Sequence, residues 1–278
     1  MSGAGKKLAD VANKTFKVGK RLPHTFENDI CTVCGSPKRF ERDGDFLYFG
    51  SFPQSLKAEG VTVAKNASVG GYYLGSDGEF YAKVIATPRL SSYCFANGER
   101  IIENEIYYFK VEPIKWRIVA EEDDRVLLHC ENILTSMPFD DGGNNNYKTS
   151  SLRSWLNNKF LSMSFKSFER EIIEITDLGN TTEEIKDKAF IFSIEDQKNY
   201  SVTVSGKRLT GMRFVTDYSR ALGGEYGSYP IELAGLHNWW TRTPEGNKCA
   251  LGGSNYPAPQ EPDFPHRGVV PAMWVELR

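Results

Sequence analysis

The last forty residues constrain the fold of this chain more than any other stretch. Two apolar, strand-like runs, residues 238–241 and 269–277, bracket residues 245–266, which are rich in Gly, Pro, Asn and charge. The runs carry Trp239, Trp240 and Trp274. Large aromatic side chains in strands need a core, whereas the segment between the runs has little to bury. We therefore predict a rigid frame with core tryptophans that presents a long polar loop.

Loops on a rigid scaffold commonly carry binding residues, so we place the functional surface on this loop. Four prolines stiffen the segment, which lowers the entropic cost of binding, and its Tyr, Arg, Asn and Gln side chains offer contact area and hydrogen bonds. A surface connection without a function is the alternative interpretation. The predicted ligand-binding residues are Asn255, Tyr256, Gln260, Glu261, Asp263, His266 and Arg267.

Composition and charge restrict the class of protein. Of the 278 residues, 40% are hydrophobic and 13% aromatic, which is ample for a packed core. A net charge of −2 and a pI near 6.2 give no global reason to bind nucleic acid or an anionic membrane. We find no apolar run of membrane-spanning length and no secretory signal in residues 1–23, so we expect a cytoplasmic protein. Its partner would be a protein, peptide or glycan, and self-association is left open.

The N-terminal region differs in character from the rest. Residues 1–22 carry six lysines or arginines and one acid, as in a basic arm or a short amphipathic helix. Cys31 and Cys34 then form a Cys-x-x-Cys pair before a glycine, a knuckle in which two thiolates bind zinc, and His24 supplies a third ligand. This is half of a zinc ribbon; a redox pair or a degenerate remnant are the alternatives. We expect residues 1–42 to form this arm and residues 43–278 the main domain.

Short strands and a few helices make up the predicted main domain. Candidate strands cover residues 46–50, 71–74, 79–85, 105–111, 114–119 and 125–130. Three Asp-Gly or Asn-Gly pairs, at Gly44, Gly78 and Gly98, signal tight turns. Helices are predicted at residues 150–160 and 167–175, a buried strand at 188–193 and a helix start at Ser193. The predicted class is α+β, with antiparallel sheets and two or three helices.

Several segments together resemble the bacterial DUF6273 family, a domain of unknown function linked to the C-type-lectin-like fold. They are residues 49–54, 72–84, 107–117, 152–157, 239–244 and 268–274, with Val270 where such domains more usually have arginine. The resemblance implies a C-type-lectin-like scaffold in which the chain ends come together and the last strand lies in the core. That fold also hosts variable proteins of diversity-generating retroelements, which bind ligands, and formylglycine-generating enzymes, which use an active-site cysteine pair.

We favour a non-catalytic binding module over an enzyme. In the late region that corresponds to the enzymes' cysteine pair, this chain has only Cys249, which is typical of a small core residue. His129 lies in an apolar strand and is predicted to be a core histidine. The alternatives are an enzyme of the formylglycine-generating lineage and an intracellular zinc-dependent interaction protein.

Calcium binding is not expected. Residues 140–146 gather oxygen side chains but lack the ligand spacing of an EF-hand loop, and their composition is ordinary for turns. Glu261-Pro262-Asp263 is similar to motifs of calcium-dependent sugar binding, but no second pair of acidic and amide side chains stands nearby.

The zinc hypothesis predicts about one zinc ion per chain in protein purified without added metal, because two thiolates and an imidazole bind zinc tightly. Elemental analysis of the wild type and of a Cys31→Ser, Cys34→Ser double variant measures this. Zinc content near zero, or equal in both proteins, would contradict the hypothesis.

Overall fold

The computed structural model describes residues 25–28, 30–32, 38–68, 70–179, 184–200, 203–204, 207–208, 211–227, 234–253 and 258–277. Of Phe26, Cys31 and the four described residues in 203–208, it describes the backbone only. The chain divides into two compact units, residues 1–38 and 39–278.

The described part of the first unit is a small hairpin. Strands β1 (Phe26–Glu27) and β2 (Ile30–Cys31) pair antiparallel, with Phe26 opposite Cys31. Asn28 has a φ of 51°, which short polar side chains tolerate in a tight turn. The proposed zinc ligands His24 and Cys34 and the side chain of Cys31 lie outside the described residues, so the zinc hypothesis stays a prediction.

A seven-stranded sheet dominates the second unit. Its strands are β3 (Phe40–Asp43), β4 (Phe46–Leu56), β5 (Tyr73–Leu74), β6 (Phe80–Ile85), β7 (Ile106–Glu122), β8 (Arg125–Cys130) and β20 (Ala272–Glu276). The main path of the sheet has the order β20-β8-β7-β4-β3, and off this path β6 pairs with β7 and β5 with β6. All its strand pairs are antiparallel.

Smaller sheets and short helices complete the second unit. One sheet has the order β10-β19-β17-β18, a second the order β16-β15-β9, and β11 pairs with β12 and β13 with β14. The strands are β9 (Asn132–Ile133), β10 (Thr135–Ser136), β11 (Thr176–Asp177), β12 (Lys186–Asp187), β13 (Thr203–Val204), β14 (Lys207–Arg208), β15 (Arg213–Val215), β16 (Leu236–His237), β17 (Trp239–Glu245), β18 (Lys248–Gly252) and β19 (Gly268–Val269). The helices are α1 (Ser151–Trp155), a π-helical turn (Leu156–Phe160), α2 (Leu161–Ser164), α3 (Ser167–Arg170), α4 (Ile194–Asn199) and α5 (Asp217–Ala221), with a 3₁₀ turn at Tyr147–Thr149.

The turn and cap signals in the sequence are confirmed. Gly44, Gly78 and Gly98 all have positive φ, as their turns require. The Ser150 side chain accepts the backbone N–H of Arg153 at 3.1 Å and so caps α1. The Ser193 side chain caps α4 in the same way, where the helix start was predicted.

The predicted core residues are buried. Trp239 and Trp240 are fully buried and Trp274 is 8% exposed. The indole N–H of Trp240 donates to the carbonyl of Met137 at 2.8 Å, so its burial leaves no unsatisfied donor. The last strand, β20, lies between β8 and two segments that bridge to it, at Ile173 and Phe190. The C-terminal strand therefore lies in the core, as predicted.

The structure corrects several boundaries. Residues 105–111 and 114–119 form one strand, β7, in which Pro113 lies opposite Ser51 and the register with β4 shifts between Tyr48 and Ser51. The predicted helix 167–175 ends at Arg170: Glu171 keeps helical φ and ψ as the C-cap, and Ile173 then bridges to β20. Residues 188–193 were predicted to be a buried strand, but they pair with β20 only through one bridge at Phe190. The helix α5 was not predicted from the sequence.

Pairing also differs from the prediction. β9 and β15, and β17 and β19, pair in parallel, whereas only antiparallel sheets were expected. The strands β3 and β20 stand at opposite ends of the large sheet's main path, whereas the expected proximity of the chain ends stays a prediction because residues 1–24 lie outside the described residues.

Truncating Trp274 to alanine should lower the free energy of unfolding by about 3–5 kcal/mol, because a large buried side chain on a core strand is lost. That is a large share of the about 5–15 kcal/mol typical of a domain. Urea denaturation followed by circular dichroism measures it, with the exposed Lys83→Ala as control. A Trp274→Ala midpoint equal to that of the control would contradict the packing described.

Candidate functional site

The late loop, defined here as residues 253–267, is shorter than the sequence suggested. Gly246 and Asn247 form a tight turn in which Gly246 has a φ of 62°, and Lys248–Gly252 is the buried strand β18. The loop therefore leaves β18 and returns to β19, which pairs in parallel with β17 at Trp239. Its ends rest on one sheet, which fixes both in place.

Backbone hydrogen bonds hold the described part of the late loop. Gln260 and Cys249 exchange two bonds, of 2.9 and 3.0 Å. The carbonyl of Pro262 accepts the N–H groups of Phe139 and Asp140 at 2.8 and 3.1 Å. The carbonyl of His266 accepts the N–H of Glu225 at 3.1 Å, and that of Arg267 accepts the N–H of Met137 at 3.3 Å. The loop is thus tied to three other segments along its length.

Arg267 is the buried centre of this arrangement. It is only 6% exposed, and its Nη1 donates to Nδ1 of His237 at 2.7 Å. Its Nη2 donates to Oε1 of Gln260 at 3.1 Å and lies 3.0 Å from Oε2 of Glu225, an ion pair without hydrogen-bond alignment. Burial, and then the charge of Arg89, lower the pKa of Arg267 to about 10, so it stays protonated at neutral pH. One cation therefore links three chain segments.

Arg89 and Phe264 connect this centre to the surface. The Arg89 side chain, 37% exposed, pairs with the second carboxylate oxygen of Glu225. The guanidinium groups of Arg89 and Arg267 lie 5.3 and 5.6 Å from the centroid of the half-buried Phe264 ring. Cations at this distance interact favourably with an aromatic ring. The late loop thus presents a half-buried aromatic ring flanked by two arginines.

His266 packs closely against a glycine. Its ring lies edge-on to Phe264, with centroids 5.4 Å apart. Gly223 has a φ of 87°, and a Cβ there would stand 2.6 Å from Nδ1 of His266. Burial, with Arg89 as the second cause, lowers the pKa of His266. Only a glycine at position 223 permits this approach without strain.

The structure describes five of the seven predicted site residues. Glu261 and Asp263 are exposed, and Gln260 and His266 are half-buried. Arg267 is buried and anchors the loop, so it is not among the exposed side chains that the sequence suggested. Asn255 and Tyr256 lie outside the described residues.

Sequence reasoning missed Arg89, Glu225 and His237. No local pattern marks them, because each reaches the late loop only through tertiary packing.

Cys249 and His129 are core residues, as predicted. Cys249 is fully buried, and burial raises the pKa of its thiol to about 12. The His129 ring stacks on Phe192 at 4.1 Å, and its Nδ1 lies 3.2 Å from Nη2 of Arg213. Since a guanidinium only donates, Nδ1 accepts and the imidazole proton lies on Nε2. Burial lowers the pKa of His129 well below its ordinary value.

The oxygen-rich turn at residues 140–146 uses its carboxylate within the fold. Oδ2 of Asp140 accepts the N–H groups of Gly142 and Asn144 at 3.1 and 3.0 Å, and Oδ1 accepts that of Ser151 at 3.0 Å. Within the described ranges, no group of three His, Cys, Asp or Glu side chains is placed to hold a metal ion. None of the described helices is long and apolar enough to cross a membrane.

Stability should fall in acid through His237. Burial, and then the charges of Arg267 and Arg89, lower its pKa to about 4, so between about pH 6.5 and 4 the unfolded chain binds a proton that the folded chain does not. This contribution is fully present above about pH 6.5 and is lost as the pH falls toward 4, on the order of 1–3 kcal/mol. Urea denaturation at pH 7.5, 6, 5 and 4.5 measures it.

The variant His237→Asn is the matched comparison, since its amide oxygen can accept from Arg267 but does not titrate. Its stability should depend less steeply on pH than that of the wild type. Equal slopes in the two proteins would rule out His237 as a source of the acid sensitivity.

Comparison with known proteins places the second unit in a family. Residues 123–277 match the profile of a domain of unknown function, DUF6273. This span holds β8 to β20 and the whole late loop, whereas Arg89 and the earlier segments of the resemblance lie before it. Searches of curated proteins and of solved structures found no match. Because the profile covers more than half of the chain, the protein belongs to the DUF6273 family.

Proposed function

We propose that this protein is a non-catalytic ligand-binding module whose late loop contacts a protein or glycan partner. The observation that carries the proposal is the anchoring of this loop by Arg267, a buried cation with partners from three segments. The described part of the loop, residues 258–267, does not have to be ordered when a ligand binds, which removes a major cost of association. Its outward side chains are therefore preorganised for recognition.

The composition of the exposed surface suits recognition. Glu261 and Asp263 are exposed beside the half-buried Gln260 and Phe264, with the partly exposed Arg89 next to the Phe264 ring. An aromatic ring with an arginine provides contact area, while carboxylates and an amide select partners by hydrogen bonding. Lys248 pairs with Glu261 at 2.7 Å, so the surface carries both signs of charge. Mixed charge favours a polar partner of either class.

We include a C-type-lectin-like scaffold in the proposal. Its support is a buried last strand and a long loop that enters and leaves one sheet. The role as a variable protein of a diversity-generating retroelement extends the same proposal and requires that the loop sequence differ between copies.

The enzyme alternative has less support. A formylglycine-generating mechanism needs an accessible thiolate, whereas Cys249 is buried with its pKa raised to about 12. The three cysteines whose side chains are described, Cys94, Cys130 and Cys249, are free, which supports a reducing compartment.

Removing the exposed carboxylates should weaken recognition without unfolding the protein. A Glu261→Ser, Asp263→Ser variant should lose about tenfold or more of its partner binding, because two surface contacts are deleted. Wild type and variant are immobilised and compared in capture from a host lysate and on a glycan array. The matched control is Glu59→Ser, Glu103→Ser, which removes two exposed acids elsewhere.

Equal capture by the loop variant, the control and the wild type, with all three folded by circular dichroism, would refute the late loop as the binding site. If the loop variant and the control both lose partner binding, binding depends on net charge, and the late loop is likewise refuted as the binding site.

A further inference from the structure

A concave surface lies outside the late loop. It is a shallow, open depression with a volume of about 750 Å³ beside the helical segment α1 to α2. Its lining includes the polar and charged side chains Asn157, Asn158, Lys159, Ser162, Arg170 and Lys188. None of its lining residues belongs to the late loop or to the group around Arg267. Its volume is within the range of small-molecule sites.

The helix beside this depression has an unusual geometry. Residues Leu156–Phe160 form a π-helical turn between α1 and α2. The extra residue in the turn puts Leu156 and Leu161, five positions apart, on the buried face together. Asn158, Lys159 and Ser162 are consequently exposed on the other side of a widened turn. π-helical turns are rare and occur frequently at functional sites.

Hydrogen bonds of the Asn157 and Lys188 side chains hold together the segments that line the depression. Oδ1 of Asn157 accepts the backbone N–H groups of Lys188 and Ala189 at 2.9 and 3.2 Å, and its Nδ2 donates to the carbonyl of Ala189 at 2.9 Å. Nζ of Lys188 donates to the carbonyl of Arg170 at 2.7 Å. Because an ammonium group has three donors, this bond leaves two for a ligand while it holds the side chain in place.

The charge of the depression has one sign. Lys159, Arg170 and Lys188 come from three separate segments, and the lining contains no carboxylate. In the described part of the chain, none of these three side chains forms an ion pair. In a chain whose net charge is −2, this is a local concentration of positive charge, which attracts and orients anions.

We propose that this depression binds a small multivalent oxyanion that carries two or more phosphate or sulfate groups. Three cations from separate segments can each contact a different oxygen of a ligand that carries several charged oxygens. Arginine and lysine donate charge-assisted hydrogen bonds to such oxygens. The inference is independent of the proposed role of the late loop, since the two surfaces share no lining residue.

Isothermal titration of the full chain with inorganic triphosphate, and separately with a sulfated disaccharide, tests the proposal at low and at physiological salt. We expect saturable binding of one anion per chain that weakens as salt is added, because the contacts are screened. The probe with the higher affinity identifies the ligand as a phosphate or a sulfate compound.

The variant Lys159→Gln, Arg170→Gln should bind about tenfold more weakly, since it deletes two of the three positive charges that line the depression. The control Lys65→Gln, Lys83→Gln removes the same charge from exposed positions outside the depression and should bind as the wild type does. Both substitutions are at partly or fully exposed side chains, and circular dichroism checks that the folds match. Absence of saturable binding, or equal weakening in both variants, would overturn the proposal.

Discussion

A buried cation is the constraint on which the late part of this structure depends. Removing a charge from water costs several kcal/mol unless partners replace the solvent. Arg267 satisfies this requirement through Glu225, His237 and Gln260, which lie in three different segments. Because all three partners must reach the buried guanidinium, the segments that carry them lie close together. One side chain therefore fixes the end of the late loop, β16 and the turn after α5 with respect to one another.

This arrangement separates the residues that hold the loop from those that face solvent. The anchors are buried or half-buried and bonded to one another, whereas Glu261 and Asp263 are exposed. Substitution of Glu225 would leave the Arg267 charge buried without a carboxylate, which is strongly destabilising. Substitution of exposed side chains away from such networks usually changes stability little. A surface built in this way can change its specificity without loss of the fold.

The late loop and the basic depression are connected through one stretch of backbone. Pro262 accepts a hydrogen bond from the N–H of Phe139, whose own carbonyl accepts the N–H of Leu152 at the start of α1. Asn145 donates to the carbonyls of Gly246 and Lys248 at 3.0 and 2.9 Å, which fixes the same stretch to the β17–β18 turn. Both surfaces therefore rest on one continuous scaffold, and both lie within the span that defines the family.

The sequence by itself determined the local features of this protein. Positive φ at Gly44, Gly78 and Gly98, the caps at Ser150 and Ser193, and the burial of the tryptophans all follow from side-chain chemistry within a few residues. The location of the late loop was also predictable, since strand and loop compositions differ. Only the tertiary structure decided the rest. The β18 strand, the parallel pairs and the single long β7 depend on which segments become neighbours. The partners of Arg267 were also decided by the tertiary structure. Glu225 and His237 are 42 and 30 residues away from Arg267 in sequence, and no local pattern predicts that they contact it.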